Sequence, residues 1–228
     1  MVVGRKGVAI TRRVAFVLAV VAAALAAVST VHAGDGKEQI RFNAADQAAA
    51  RAVVIRRADL GSGWAGGPAK PDLSAGPSCP DYHPKVSDLV LTGAARTTFQ
   101  RSGFEFDSQS GVLKTRRMVA LDWRRSVLAP GVVPCLRRTI GSGLGPNAKV
   151  VSFKKLPFPK LATYNALFRG VISVQAQGKT VRVLTDLVLV GRSRTELTLT
   201  VVGPASAKVA ISAAERRLAR VLITRAHA

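Results

Sequence analysis

The chain predicts an α+β domain, an antiparallel β-sheet of about five to six strands with helices packed on one face, in the order α-β-β-α-β-β-β-β-α. Three observations lead there. Apolar residues alternate with period two in three consecutive runs between Tyr164 and Val201. Those runs are separated by turn-length breaks, so they form hairpins and not βαβ crossovers. Helix-period stretches lie at both ends of the chain, placing helices against the apolar face of the sheet.

The first 33 residues are set aside before the fold is considered. Arg5, Lys6, Arg12 and Arg13 form a basic segment without acidic residues, and Val14 to Val28 is an unbroken apolar run. That run is shorter than the ~20 residues a membrane span needs and fits the apolar core of an export signal. Val31-His32-Ala33 supplies small residues at the positions a signal peptidase reads, predicting cleavage after Ala33; an uncleaved N-terminal anchor is the alternative. Residues 34–228 are then one exported domain, secreted or associated with the cell envelope.

Asn43 is a helix N-cap and Ala44 to Ala58 is rich in helix formers, with Asp59-Leu60-Gly61-Ser62-Gly63-Trp64 ending the helix and returning Trp64 to the core. Ala65 to Pro84, rich in Gly, Pro and Ser, reads as a loop. Two strands are expected at Ala94 to Arg101 and Val112 to Ala120, separated by Gly103 to Gly111. Asp122 to Ile140 is broken by Pro130, Gly131 and Pro134 into a short helical turn and a second helix bearing Cys135. A strand follows at Lys149 to Lys155. In the meander, a two-residue turn at Gln177-Gly178 pairs Val174 with Val181 and Phe168 with Leu187, and sets Arg169 opposite Asp186 on the polar face. A three-residue loop, Gly191 to Ser193, makes the next hairpin. Ala205 to Arg225 is a terminal helix with Ile211, Ala214, Leu218, Val221 and Leu222 inward and Glu215, Arg216, Arg217 and Arg220 outward.

Composition narrows the chemistry. The 228 residues carry 34 Lys plus Arg against 13 Asp plus Glu, a formal +21. Four of the cations lie in the signal segment, which leaves 30 against 13, or +17. Aromatic residues make up 5% of the chain, too few for a base-stacking surface, and export argues against a nucleic-acid partner in vivo. The two cysteines, Cys79 and Cys135, form an even pair in an exported domain and read as a disulfide. Two Cys with one neighbouring His83 are too few for a zinc site, so no metal or other cofactor is expected.

No G-x-S-x-G, H-E-x-x-H or P-loop lysine occurs. His83 beside Asp81 and Tyr82, and Glu105 with Asp107 as an acid pair, are the candidates for catalysis; a structural loop histidine and a solvated strand edge are the favoured readings of them. The chain is therefore expected not to be an enzyme. Arg117, on the core parity of the Val112 to Ala120 strand, is either a rim residue or the floor of a polar pocket. In the second case Arg124 and Arg125 join it in holding a carboxylate or phosphate.

Arg57-Ala58-Asp59-Leu60-Gly61-Ser62-Gly63-Trp64, the Cys79-Pro80 loop, the unit carrying the second Cys, and Arg194-Thr195-Glu196-Leu197-Thr198-Leu199-Thr200 before a terminal helix resemble exported actinobacterial proteins. They are similar to PsbP-like secreted domains and to the PknH-type extracellular sensor domain of receptor kinases. The resemblance implies an antiparallel sheet flanked by helices, with a cleft for a ligand. The expected function is an exported binding or sensor-like module for a small molecule, lipid or anionic envelope polymer. The alternatives are a small extracytoplasmic hydrolase and a structural protein held at the cell surface by charge.

Overall fold

The computed structural model describes residues 38–74 and 76–226; the expected signal segment and cleavage after Ala33 lie outside them. The elements in order are β1 (Gln39–Ile40), α1 (Ala44–Ala52), α2 (Arg57–Leu60), β2 (Ala65–Ala69), β3 (Val90–Arg101), β4 (Phe104–Leu113), α3 (Arg116–Asp122), a π-helical turn (Trp123–Val127), α4 (Val132–Gly143), β5 (Ala148–Leu156), β6 (Tyr164–Ala176), β7 (Lys179–Arg192), β8 (Thr195–Pro204) and α5 (Lys208–Thr224). The α+β class stands. The strands form one eight-stranded sheet in the order β1-β3-β4-β8-β7-β6-β5, with β2 also paired to β3.

The sheet is larger than expected because β1 and β2 share the outer edge of β3. β1 runs parallel to Val90 and Leu91, while β2 pairs antiparallel with Arg96 to Gln100. Neither carries a strand signature: β1 is two residues long, and β2 is Ala-Gly-Gly-Pro-Ala, a composition tolerated at an edge. Gly66 has φ +124, and a Cβ there would lie 2.1 Å from the Thr98 carbonyl oxygen, so the close edge pairing requires glycine.

The expected strand at Val112 to Ala120 is a second correction. Ser102 and Gly103, at φ 43 and 86, make a two-residue hairpin, and the intended loop Gly103 to Gly111 is mostly β4. The strand stops at Leu113 because Thr115 caps a helix, its side chain accepting from the Met118 N–H at 3.2 Å. Helical geometry then buries Val119 and leaves Arg117 exposed.

The β6–β7 register follows the reading closely: Val174 faces Val181, Phe168 faces Leu187 and Arg169 faces Asp186. The β7–β8 hairpin is tighter than expected, with Arg192 paired to Thr195 across two residues.

Helices cover both faces of the sheet, not one. On the first face α5 packs Ile211, Leu218 and Leu222 over Leu197, Leu199 and Val201. The end of α1 is pinned to this face by serine hydroxyls: Ser110 donates to the Ala50 carbonyl at 2.6 Å, and Ser108 accepts from the Ile55 N–H at 2.9 Å. On the second face α4 and the Cys79 loop enclose Trp123, Phe153, Phe168 and Ile172. Arg169 and Asp186 are consequently buried beneath α5, and Glu215 points into the same space, although a polar face was expected for all three.

Gly93 marks where α1 crosses β3 at a register shift. A Cβ there would sit 2.2 Å from the Asp46 carbonyl oxygen. Gly93→Ala is expected to cost about 3 kcal/mol in urea unfolding, because backbone blocks the added methyl.

Candidate functional site

A cavity of about 260 Å³ lies on the second face, over β3, β4 and β8. Its floor is strand backbone with Ala94, Gly111, Glu196 and Thr198, and its roof is the long loop between β2 and β3. Loops of that length without regular structure need anchoring, and this one has several anchors. Gln109 exchanges two hydrogen bonds with the Asp72 backbone, at 2.7 and 2.9 Å. Cys79 is bonded to Cys135 on α4, with Cα atoms 5.6 Å apart, as expected from sequence. Arg125 donates to the Lys85 carbonyl at 2.9 Å and to Asp88 at 2.7 Å.

Carboxyl groups dominate the interior. Asp122 at the end of α3, Glu196 on β8 and Glu38 just before β1 come together there. Gly111 is the cross-strand neighbour of Glu196, and a Cβ there would meet the Leu91 side chain at 3.2 Å. A relay fixes Asp122: the Tyr82 hydroxyl donates to the Ser126 carbonyl at 2.6 Å, and the Ser126 hydroxyl donates to Asp122 Oδ1 at 2.6 Å. Tyr82 is held by the disulfide loop, where Cys79 and Tyr82 form an isolated bridge.

Each group is pushed toward its neutral form. Glu196 is raised well above the usual carboxyl range, first by burial and then by Asp122 and Glu38. Glu38 is pushed up to about 7 by burial and by Asp122. Asp122 is raised by burial, with Ser126, Glu196 and Arg125 working the other way. The Tyr82 hydroxyl rises to about 12, chiefly through burial. The hydrogen bond between Glu196 and Asp122 pulls Glu196 up and Asp122 down. The Glu196 Oε1 is out of solvent contact and has no hydrogen-bond partner. A buried acceptor left in that state costs about 1–3 kcal/mol.

The arginines singled out from sequence lie elsewhere. Arg117 and Arg124 are exposed and Arg125 is committed to Asp88, and none of the three lines this cavity. The premise that Arg117 faces the core fails because its segment is a helix. His83 accepts from or donates to Ser78 at 2.8 Å and contacts the Pro80 carbonyl at 3.1 Å, so it ties the exposed loop to itself. Asp107 pairs with Arg96 at 2.8 Å and accepts from Thr98, while Glu105 bonds Gln100. No group of three or more His, Cys, Asp or Glu among the described residues has the arrangement to hold a metal ion.

The signal that points to Glu196 is strand parity. Leu197, Leu199 and Val201 define the α5 face, so Glu196 belongs to the opposite one. With helices expected on a single face, nothing in the pattern marks that position as covered.

No family model matches the chain, and no curated protein matches it. Among solved structures, an X-ray structure of an uncharacterised protein from Mycobacterium smegmatis is similar, at 11% identity and a TM-score of 0.41, over 75% of this chain and 93% of that one. Among the described residues no helix is long and apolar enough to cross a membrane. A second, more open groove of about 450 Å³ runs between α5 and the β3–β4 hairpin, lined by Trp64, Phe104 and Ile211 with Arg101 and Arg217. Trp64 packs against Phe106 there with ring centroids 4.8 Å apart and planes tilted by 39°, which fulfils the expected return of Trp64 to the core.

Proposed function

We propose that the chain is an exported, non-enzymatic binding module of the sensor-like kind, with the carboxyl-lined cavity as its ligand site. The observation that carries this reading is a cavity of about 260 Å³ lined by Glu38, Asp122 and Glu196 and by the apolar side chains of Leu73, Val86 and Leu91, built by separate parts of the chain. Carboxyl-bearing side chains gathered beside an apolar wall fit a ligand site. The disulfide suits an extracytoplasmic setting. The short motifs shared with PsbP-like and PknH-type sensor domains support the same reading, since Glu196 lies within one of them.

Native mass spectrometry of protein purified from its host tests it. A retained small molecule is expected in the wild type and not in Gly111→Leu, whose side chain fills the cavity. The reading fails if wild type and variant carry the same complement of molecules, or none.

Two further parts of the proposal concern the surroundings. The exposed cations, Arg117 and Arg124 among them, would hold the protein on anionic envelope polymers, so moderate salt should release it from cells. A hydrolase remains the second reading, favoured by the Asp122–Glu196 pair with its unequal protonation. Turnover of a retained molecule, lost in Asp122→Asn, would replace binding with catalysis.

A further inference from the structure

We propose that the groove between α5 and the β3–β4 hairpin is a second ligand site. It holds one long-chain carboxylate, with the alkyl tail against Trp64, Phe104 and Ile211 and the head on Arg101 and Arg217. The groove lies on the first face of the sheet and shares no lining residue with the cavity of the second face, so it stands apart from the reading given to that cavity.

The sequence leaves this groove open and apolar. Ala210 and Ala214, four apart on α5, put two small side chains where the helix passes the hairpin. Phe104 lies across the Gly203 backbone, where an added Cβ would come within 2.7 Å of its ring. Trp64 is brought in by Arg57, whose guanidinium donates to the Trp64 carbonyl and, at 2.9 Å, to the Gly66 carbonyl. None of the large apolar side chains of the groove is exposed: Leu60, Trp64 and Phe104 are half-buried, and Phe106 and Ile211 are buried. Recessed walls suit a guest that enters the groove, whereas a face pressed into a bilayer needs protruding apolar groups.

Both cations are drawn to one short turn. Arg217 donates to the Asp59 carbonyl at 2.8 Å, and Arg101, at the end of β3, donates to the Ser62 carbonyl at 3.1 Å. The Arg101 side chain also lies along Gly63, whose added Cβ would be 3.4 Å from its Nε. Each guanidinium spends only Nη1 on these bonds. The carboxylate of the turn is taken, since Asp59 accepts from Arg225 and, at 2.8 Å, from the Arg56 N–H. Among the described residues neither Arg101 nor Arg217 has an ion-pair partner. Planar donors with unspent N–H groups match a carboxylate. A cationic head would be repelled. A sugar or nucleotide would bring polar edges that apolar walls leave unpaired, and an alkyl tail brings none. The volume of about 450 Å³ falls within the range of small-molecule sites.

Calorimetry and tryptophan fluorescence with sodium dodecanoate, kept below its micellar range at mildly alkaline pH, test this on the purified protein. Saturable binding of one dodecanoate per chain is expected, with a change in emission that is lost in Trp64→Phe. The other tryptophan, Trp123, is buried on the second face and should not respond. Octanoate, four methylenes shorter, should bind at least about tenfold more weakly, and so should dodecan-1-ol, which lacks the charge. Arg101→Gln and Arg217→Gln should each weaken dodecanoate by about tenfold with the melting temperature retained. Arg138→Gln, which removes an exposed cation on α4, should leave the affinity unchanged. Equal binding of dodecan-1-ol overturns the proposal, as does an equal loss in Arg138→Gln, an emission change that survives Trp64→Phe, or no saturable binding. Binding to phosphatidylglycerol vesicles without binding of dodecanoate also overturns it, and replaces the guest with a membrane surface.

Discussion

Replacing Arg169 with Met is expected to destabilise the fold by about 3–5 kcal/mol, because it leaves buried acids without their cation. The Arg169 Nε donates to both Asp186 oxygens at 2.8 and 2.9 Å, its Nη2 donates to Asp186 and to Ser212 at 2.9 Å, and Glu215 Oε2 lies 3.6 Å away. Asp186 is wholly buried and Glu215 is 1% exposed. Glu215 is pushed up to about 9, first by burial and then by its hydrogen bond to Asp186. Within this trio Glu215 is therefore held in its neutral form at neutral pH beside the Arg169 guanidinium.

That protonation has a definite sign. A carboxyl whose folded pKa exceeds its unfolded value contributes stability that is complete below about pH 4 and is lost as pH rises toward 9. Glu215→Gln should keep the hydrogen-bonding shape, remove this loss, and raise stability at pH 9 by something on the order of 1 kcal/mol while changing little at pH 4. Urea unfolding of both variants across that range is the measurement. A cost below 1 kcal/mol for Arg169→Met, or the same pH slope in Glu215→Gln as in wild type, would show that the trio does not act as described.

The second large effect concerns the disulfide. Cys79 and Cys135 are 56 residues apart, and in the chain-entropy model closing such a loop stabilises the fold by about 4 kcal/mol. Replacing both with Ala should lower the melting temperature of a domain this size by about 8–16 °C. The same variant should loosen the cavity before it unfolds, since Tyr82 and the roof of the cavity are fixed through this bond. A fall of less than about 3 °C would mean that the Tyr82–Ser126 hydrogen bond and the apolar contacts of the second face hold the loop without it.

The C-terminal meander could be read because one physical rule governs it. Period-two alternation with a short turn allows one register, and Val174–Val181 and Phe168–Leu187 are both where that rule puts them. The errors arise where two rules compete. Thr115-Arg116-Arg117 continues the apolar parity of β4, yet the Thr115 cap starts a helix and reverses the direction of Arg117. β2 has the composition of a loop and becomes a strand through pairing that β3 imposes. Glu215 was assigned to solvent on polarity, although its spacing of four from Ile211 and three from Leu218 places it in the buried stripe. The candidate site was hidden for a related reason. A charged residue on the reverse side of a strand signals solvent unless a second layer covers that side, and the covering layer here is a loop and two helices distant in sequence.

The inward-facing acids also change how the molecule carries charge. The formal +21 counts every carboxyl as ionised. In the folded protein Glu196, Glu215 and Glu38 are all held above the usual carboxyl range, chiefly by burial, and each returns to it when the chain opens. Folding is therefore a proton-uptake reaction, and the native protein is more cationic than its own unfolded chain. On a cation exchanger at pH 7 the folded form should outlast what its composition predicts, and mild acidification would favour the folded state.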